Sequence, residues 1–147
     1  MAKEMTAIEK IKTKLVKYPE LEYQAEGDRI CIFPPTETGF TVWLTVNKAG
    51  YTVGFDGWHE EFDEEAEALN AFAFGLSDQC RLKVIKRGDA DCAWVLEARD
   101  GGGWREDSTT GLLFTAFWKK KSVEYRRNAV ISGQSNAGDS LKITPDS

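Results

Sequence analysis

The chain has 147 residues, 41% of them hydrophobic and 29% charged, with a formal net charge of −5. That length suits one domain with a proper core, and the composition is that of a water-soluble globule. The acidic balance argues against a nucleic-acid phosphate footprint, which needs a basic patch or stripe.

The first element is announced by Thr6-Ala7-Ile8-Glu9, a capping box in which Thr accepts from the third helical N–H and Glu reaches back. Ile8, Ile11 and Leu15 then fall on one helical face, and Pro19 stops the helix because the residue before proline leaves the helical region. Strands follow at 21–25 and 30–33, joined by Gly27-Asp28, a turn dipeptide. Phe40, Val42, Leu44 and Val46 alternate in strand period, and 51–55 makes a fourth strand after a polar turn. Trp58-His59-Glu60-Glu61 reads as a junction leading to a second helix. Asp63 is its expected cap, and Ala66, Leu69, Phe72, Ala73 and Leu76 are its apolar positions. The second half repeats the order. Strands are expected at 82–86 and 91–94 around Gly88-Asp89, then along Leu112, Phe114, Ala116 and Trp118, and at 123–126. Residues 128–147, rich in Ser, Gly and Asn, read as a flexible extension.

The two halves resemble each other. Shifted by 61 positions, residues 4–31 lie over 65–92 without a gap, with seven identities: Glu4/Glu65, Ala7/Ala68, Leu15/Leu76, Leu21/Leu82, Gly27/Gly88, Asp28/Asp89 and Cys31/Cys92. Beyond Cys92 the second half carries extra residues around 98–108, an excess of 11 positions by the time Gly39 overlies Gly111. Self-similarity at a fixed offset is a fold-level signal. It predicts an α+β domain over 1–127 with pseudo-repeats at 4–56 and 63–127. The expected build is αββββ-αββββ: an antiparallel sheet of about eight strands with two helices on one face. In element order alone this is similar to the saddle folds of TATA-binding proteins and to the small acidic chaperones of type III secretion. No motif of either maps onto these residues, so the likeness is one of architecture and does not fix function.

Chemistry is sparse. Cys31, Cys80 and Cys92 lack the close spacing of metal ligands, no metal or cofactor is expected, and an odd number of cysteines fits a reducing compartment. No apolar run nears the ~20 residues that span a bilayer. With no signal-peptide pattern at Met1, the expected location is the cytoplasm. His59 is the one histidine, beside two carboxylates that adjacent spacing turns away from it, and no catalytic set can be assembled around it. The segment that breaks the repeat holds Arg99, three glycines, Trp104 and Arg105. It leads into a strand rather than a helix, which weakens a phosphate-loop reading, but Trp104 with its arginines suits clamping a partner. The sheet face opposite the helices is expected to carry Trp43, Leu113 and Phe117, an apolar stripe that marks a partner surface. Two functions follow. The first is a non-catalytic module that binds another protein or itself as a homodimer, without nucleic acid or membrane. The alternative is a small-molecule binder or enzyme with a pocket near Trp58, His59, Trp104 and Arg105.

Overall fold

The computed structural model describes residues 5–111 and 118–131. Helix α1 (Ala7–Leu15) begins where the sequence predicts. Glu9 N donates to Thr6 Oγ1 at 3.2 Å and Thr6 N donates to Glu9 Oε1 at 2.9 Å, so both halves of the capping box form. Its buried face is Ala7, Ile8, Ile11 and Leu15. Five strands follow as a meander: β1 (Tyr23–Glu26), β2 (Arg29–Ile32), β3 (Val42–Val46), β4 (Tyr51–Phe55) and β5 (Trp58–Phe62). Helix α2 (Glu65–Leu76) has Glu64 rather than Asp63 at its N-cap position, without a side-chain cap hydrogen bond, and buries Ala68, Leu69, Phe72, Ala73 and Leu76. Then come β6 (Cys80–Arg87), β7 (Ala90–Asp100), β8 (Gly103–Gly111) and β9 (Lys121–Arg126).

Among the described residues every strand pairing is antiparallel, but the strands divide into two sheets, β1-β2-β3-β4-β5 and β8-β7-β6-β9. The expected single sheet of eight strands does not form among the described residues. Where β5 and β8 meet, side chains stand in for a backbone ladder. Trp58 Nε1 donates to Ser108 Oγ at 2.9 Å, and His59 N donates to Thr110 Oγ1 at 3.3 Å. The sheets are therefore bridged without being continuous.

The two units are also not equivalent. The first has a fifth strand, because Asp56 adopts a φ of 51° and the chain reverses at Asp56-Gly57 instead of entering a helix. In the second, β9 lies beside β6, at the opposite edge from β8. What the halves do share is the hairpin turn. Gly27 and Gly88 take φ values of 60° and 61°, the left-handed region that glycine enters without steric cost. The 11-residue excess is the outer part of the long β7–β8 hairpin, turning at Gly101-Gly102. The strand expected at 112–118, with Leu113 and Phe117, lies outside the described residues apart from exposed Trp118.

One core joins both sheets and both helices: Ile30, Ile32, Val42, Leu44, Val53 and Phe55 from the first sheet, Leu82, Val84, Trp94 and Leu96 from the second, with Ile11, Leu69 and Phe72 from the helices. Two polar residues fix the halves together. Buried Asn128 accepts from Phe40 N at 2.8 Å and donates to Gly75 O at 3.0 Å. Arg126 pairs with Asp56 at 2.7 Å, with Asp91 at 3.1 Å and, through Nε, with Glu124 at 2.7 Å. Residues 128–131, the start of the expected flexible extension, are thus docked. Val130 N and Ile131 N both donate to Leu76 O, and Ile131 bridges Ser77.

Candidate functional site

The strand period sorts the candidate residues onto three surfaces, since neighbours on a strand face opposite ways. On the outer face of the first sheet, Trp43 lies flat across Gly54. A Cβ on Gly54 would come within 2.0 Å of the indole. Trp43 Nε1 donates to Asp56 O at 3.1 Å, the Arg29 guanidinium stands 4.7 Å over the ring, and the His59 imidazole is 6.5 Å away, tilted by 36°. His59 is exposed and its Nδ1 lies 3.3 Å from Gly57 O. The half-buried Trp43 is satisfied by its own neighbours.

Trp58 faces the other way. It is 2% exposed, stacks on Phe55 at 4.7 Å with ring planes 19° apart, and forms the floor of a cleft of about 300 Å³ between β5, α2 and the β7–β8 hairpin. Phe62, Phe74 and Leu96 add apolar wall, and Glu60, Arg105 and Asp107 supply charge. Of the four residues expected around a pocket at the Trp58 junction and the inserted hairpin, this cleft brings together two. Trp58 and Arg105 line it. His59 and Trp104, one position away on each strand, do not.

Trp104 belongs to the outer face of the second sheet. Its indole has Arg99 at 4.5 Å, Arg81 at 4.6 Å and Arg127 at 5.2 Å from the ring centroid, and Arg81 also stands 4.0 Å over Tyr125. Arg81 Nε pairs with Glu97 at 2.6 Å, a carboxylate only 5% exposed. Arg127 Nη2 donates to Asp78 O at 2.8 Å, while its buried Nε has no hydrogen-bond partner among the described residues. Arg99 and Arg127 make no ion pair among the described residues. The sequence reading had joined Arg99 to Trp104 but missed Arg81, Arg127 and Tyr125. Only the sheet order β8-β7-β6-β9 brings those three to the ring. The one local signal was the alternation of Arg81 with Leu82 and Val84, which turns it outward.

Cys80 and Cys31 are not poised for chemistry. Burial is the main reason that the Cys80 thiol is pushed well above its usual pKa and that of half-buried Cys31 is raised, so neither is a ready thiolate. No helix among the described residues is long and apolar enough to cross a membrane. The chain matches no protein-family model, no curated protein and no solved structure.

Proposed function

We propose that this chain is a non-catalytic protein-binding module, and that its partner surface is the outer face of the second sheet. The observation that carries this reading is the gathering of three guanidiniums on the Trp104 ring. A cation–π pair occurs roughly once per 70–80 residues, so three on one ring go well beyond chance packing. Stacking engages the flat face of a guanidinium and leaves edge N–H donors for carboxylate recognition, most fully at Arg99, since Arg81 Nε is paired with Glu97 and Arg127 Nη2 with Asp78 O. Among the described residues only Arg81 already has a carboxylate in this cluster. The partner's contribution is therefore an acidic segment. A second copy of this chain has the required chemistry in its run of Glu60, Glu61, Asp63, Glu64, Glu65 and Glu67, which makes self-association one form of the same reading. A nucleic acid fits less well: two uncompensated arginines on a chain of net charge −5 fall short of the several phosphate contacts such binding uses.

The test is a titration of the full chain with an N-acetylated hexaglutamate peptide, followed through the Trp104 indole N–H resonance, beside light scattering over a concentration series. The expected result is a shift at Trp104 that weakens as salt is raised and is lost in Arg99→Ala. A Trp104 resonance that ignores the peptide in a strictly monomeric chain would sink the reading. A stronger response to an oligonucleotide than to hexaglutamate would sink its protein half.

A further inference from the structure

The cleft floored by Trp58 has a charge pattern of its own, away from the arginine face. Glu60 projects into it from β5 and Asp107 from β8. Asp107 shares the face of Arg105 by strand alternation and also sits at a bulge. Leu96 pairs with Ser108 and Glu97 with Glu106, so Asp107 is the extra residue with no partner on β7. Bulges recur next to binding sites because they re-aim one side chain. Neither Glu60 nor Asp107 makes an ion pair among the described residues. The cation at the same rim, Arg105, is turned toward Asp100 at 3.8 Å with its side chain 58% exposed. The remaining lining from α2 and β7, including Ala71, Phe74, Leu96 and Ala98, brings no charge.

Each class of occupant can be weighed against that lining. An anion meets two carboxylates and one arginine already drawn outward. A neutral apolar molecule fills the floor but leaves both carboxylates partly desolvated and mutually repelling. A hard metal ion needs several oxygen ligands, and no group of three or more His, Cys, Asp or Glu is placed to hold one among the described residues. An organic cation answers both features at once, and at about 300 Å³ the cleft is at the small end of ligand pockets, which run about 300–1,000 Å³.

We propose that the cleft binds a small primary amine, its aryl or alkyl body against Phe62, Phe74 and Leu96 and its ammonium between Glu60 and Asp107. The carboxyl of Glu60 is held above its ordinary pKa first by burial and then by the charge of Asp107. An ammonium between the two relieves the second of these causes. The site is separate from the Trp104 cluster, because Trp104 and Arg105 leave opposite faces of β8.

The experiment is calorimetric titration of the full chain with phenethylamine, 2-phenylethanol and 3-phenylpropionate, which share a phenyl body and differ in charge. The amine is expected to bind about tenfold more tightly than the alcohol, the size of one charge-assisted hydrogen bond, and the acid not to bind. Glu60→Gln and Asp107→Asn should each remove that advantage and leave the alcohol unchanged. Both sites are exposed, so the fold should survive, and circular dichroism checks it. Arg99→Ala should leave amine binding intact. An amine that binds no more tightly than the alcohol, or that binds equally well to Glu60→Gln, overturns the proposal.

Discussion

The two sheets obey the same inner rule and differ on their outer faces. Inside, Ile30, Val42, Leu44, Val53, Leu82 and Val84 are all at 0% exposure. Outside, the first sheet carries Cys31, Thr45, Thr52 and Gly54 together with Arg29, His59 and Glu61, around one tryptophan whose donor and ring are both satisfied nearby. The second carries Arg81, Lys83, Arg99, Trp104 and Tyr125, with Glu97 and Glu106 answering only Arg81 and Lys83. Burial made both faces possible. The first face has a single guanidinium on its tryptophan, Arg29, whereas the second gathers three on Trp104.

The sharpest way to break this contrast is to remove the tryptophans one at a time. Trp58→Ala deletes a side chain at 2% exposure, its stack on Phe55 and its hydrogen bond to Ser108. A loss of about 3–5 kcal/mol in chemical denaturation is expected, in line with large core truncations. Trp104→Ala removes a half-buried ring that holds guanidiniums, and stability should fall by about 1 kcal/mol, while hexaglutamate binding disappears. If the two variants unfold alike, the division into a structural and a binding tryptophan fails.

Next in size is Asn128→Ala. Asn128 ties the strand entry at Phe40 to the end of α2 at Gly75, and its loss strands one buried N–H and one buried carbonyl. A cost of about 2–4 kcal/mol follows from the desolvation of two unmatched groups. Unfolding should stay a single transition if the core is truly shared. Separate transitions for the two sheets would show that each half is its own cooperative unit.

How far the sequence anticipated all this depends on the range of the forces involved. The capping box at Thr6 and Glu9 and the glycine turns at 27 and 88 are decided within four residues, and they were legible. Strand β5 was not. Trp58-His59-Glu60-Glu61-Phe62 has apolar residues only at its ends, and it becomes a strand because β4 pairs with it across a turn at Asp56. Strand β8, Gly-Trp-Arg-Glu-Asp-Ser-Thr-Thr-Gly, carries almost no apolar signal and is held extended by β7. Internal similarity suggested two equal units, but the identities record caps and turns. Sheet order is fixed by long-range pairing that the alignment does not see. The same limit hid the site: Trp104 and Arg127 are 23 positions apart in sequence, and their meeting requires β9 to dock on β6.

The smallest expected effect tests the cleft rather than the faces. Because burial, and then Asp107, hold the Glu60 carboxyl above its ordinary pKa, the folded chain keeps that proton more tightly than the unfolded chain does. The stabilising contribution is fully present below the unfolded value of about 4.3. It is lost as pH rises through the raised folded value, so at neutral pH ionised Glu60 is a slight burden. Glu60→Gln should therefore raise Tm at neutral pH by on the order of 1 °C for so exposed a group, and the gain should vanish as the pH falls into the carboxylate range. The titration of Glu60 itself, read from its side-chain carboxyl carbon, is more discriminating. Asp107→Asn should move the midpoint down, and saturating phenethylamine should do the same in the parent chain, whereas 2-phenylethanol should not. A midpoint that ignores Asp107 would mean that burial alone sets it and that the two carboxylates do not act together on a ligand. A midpoint that responds to Asp107 but not to the amine would leave the pair intact and remove the amine from between them.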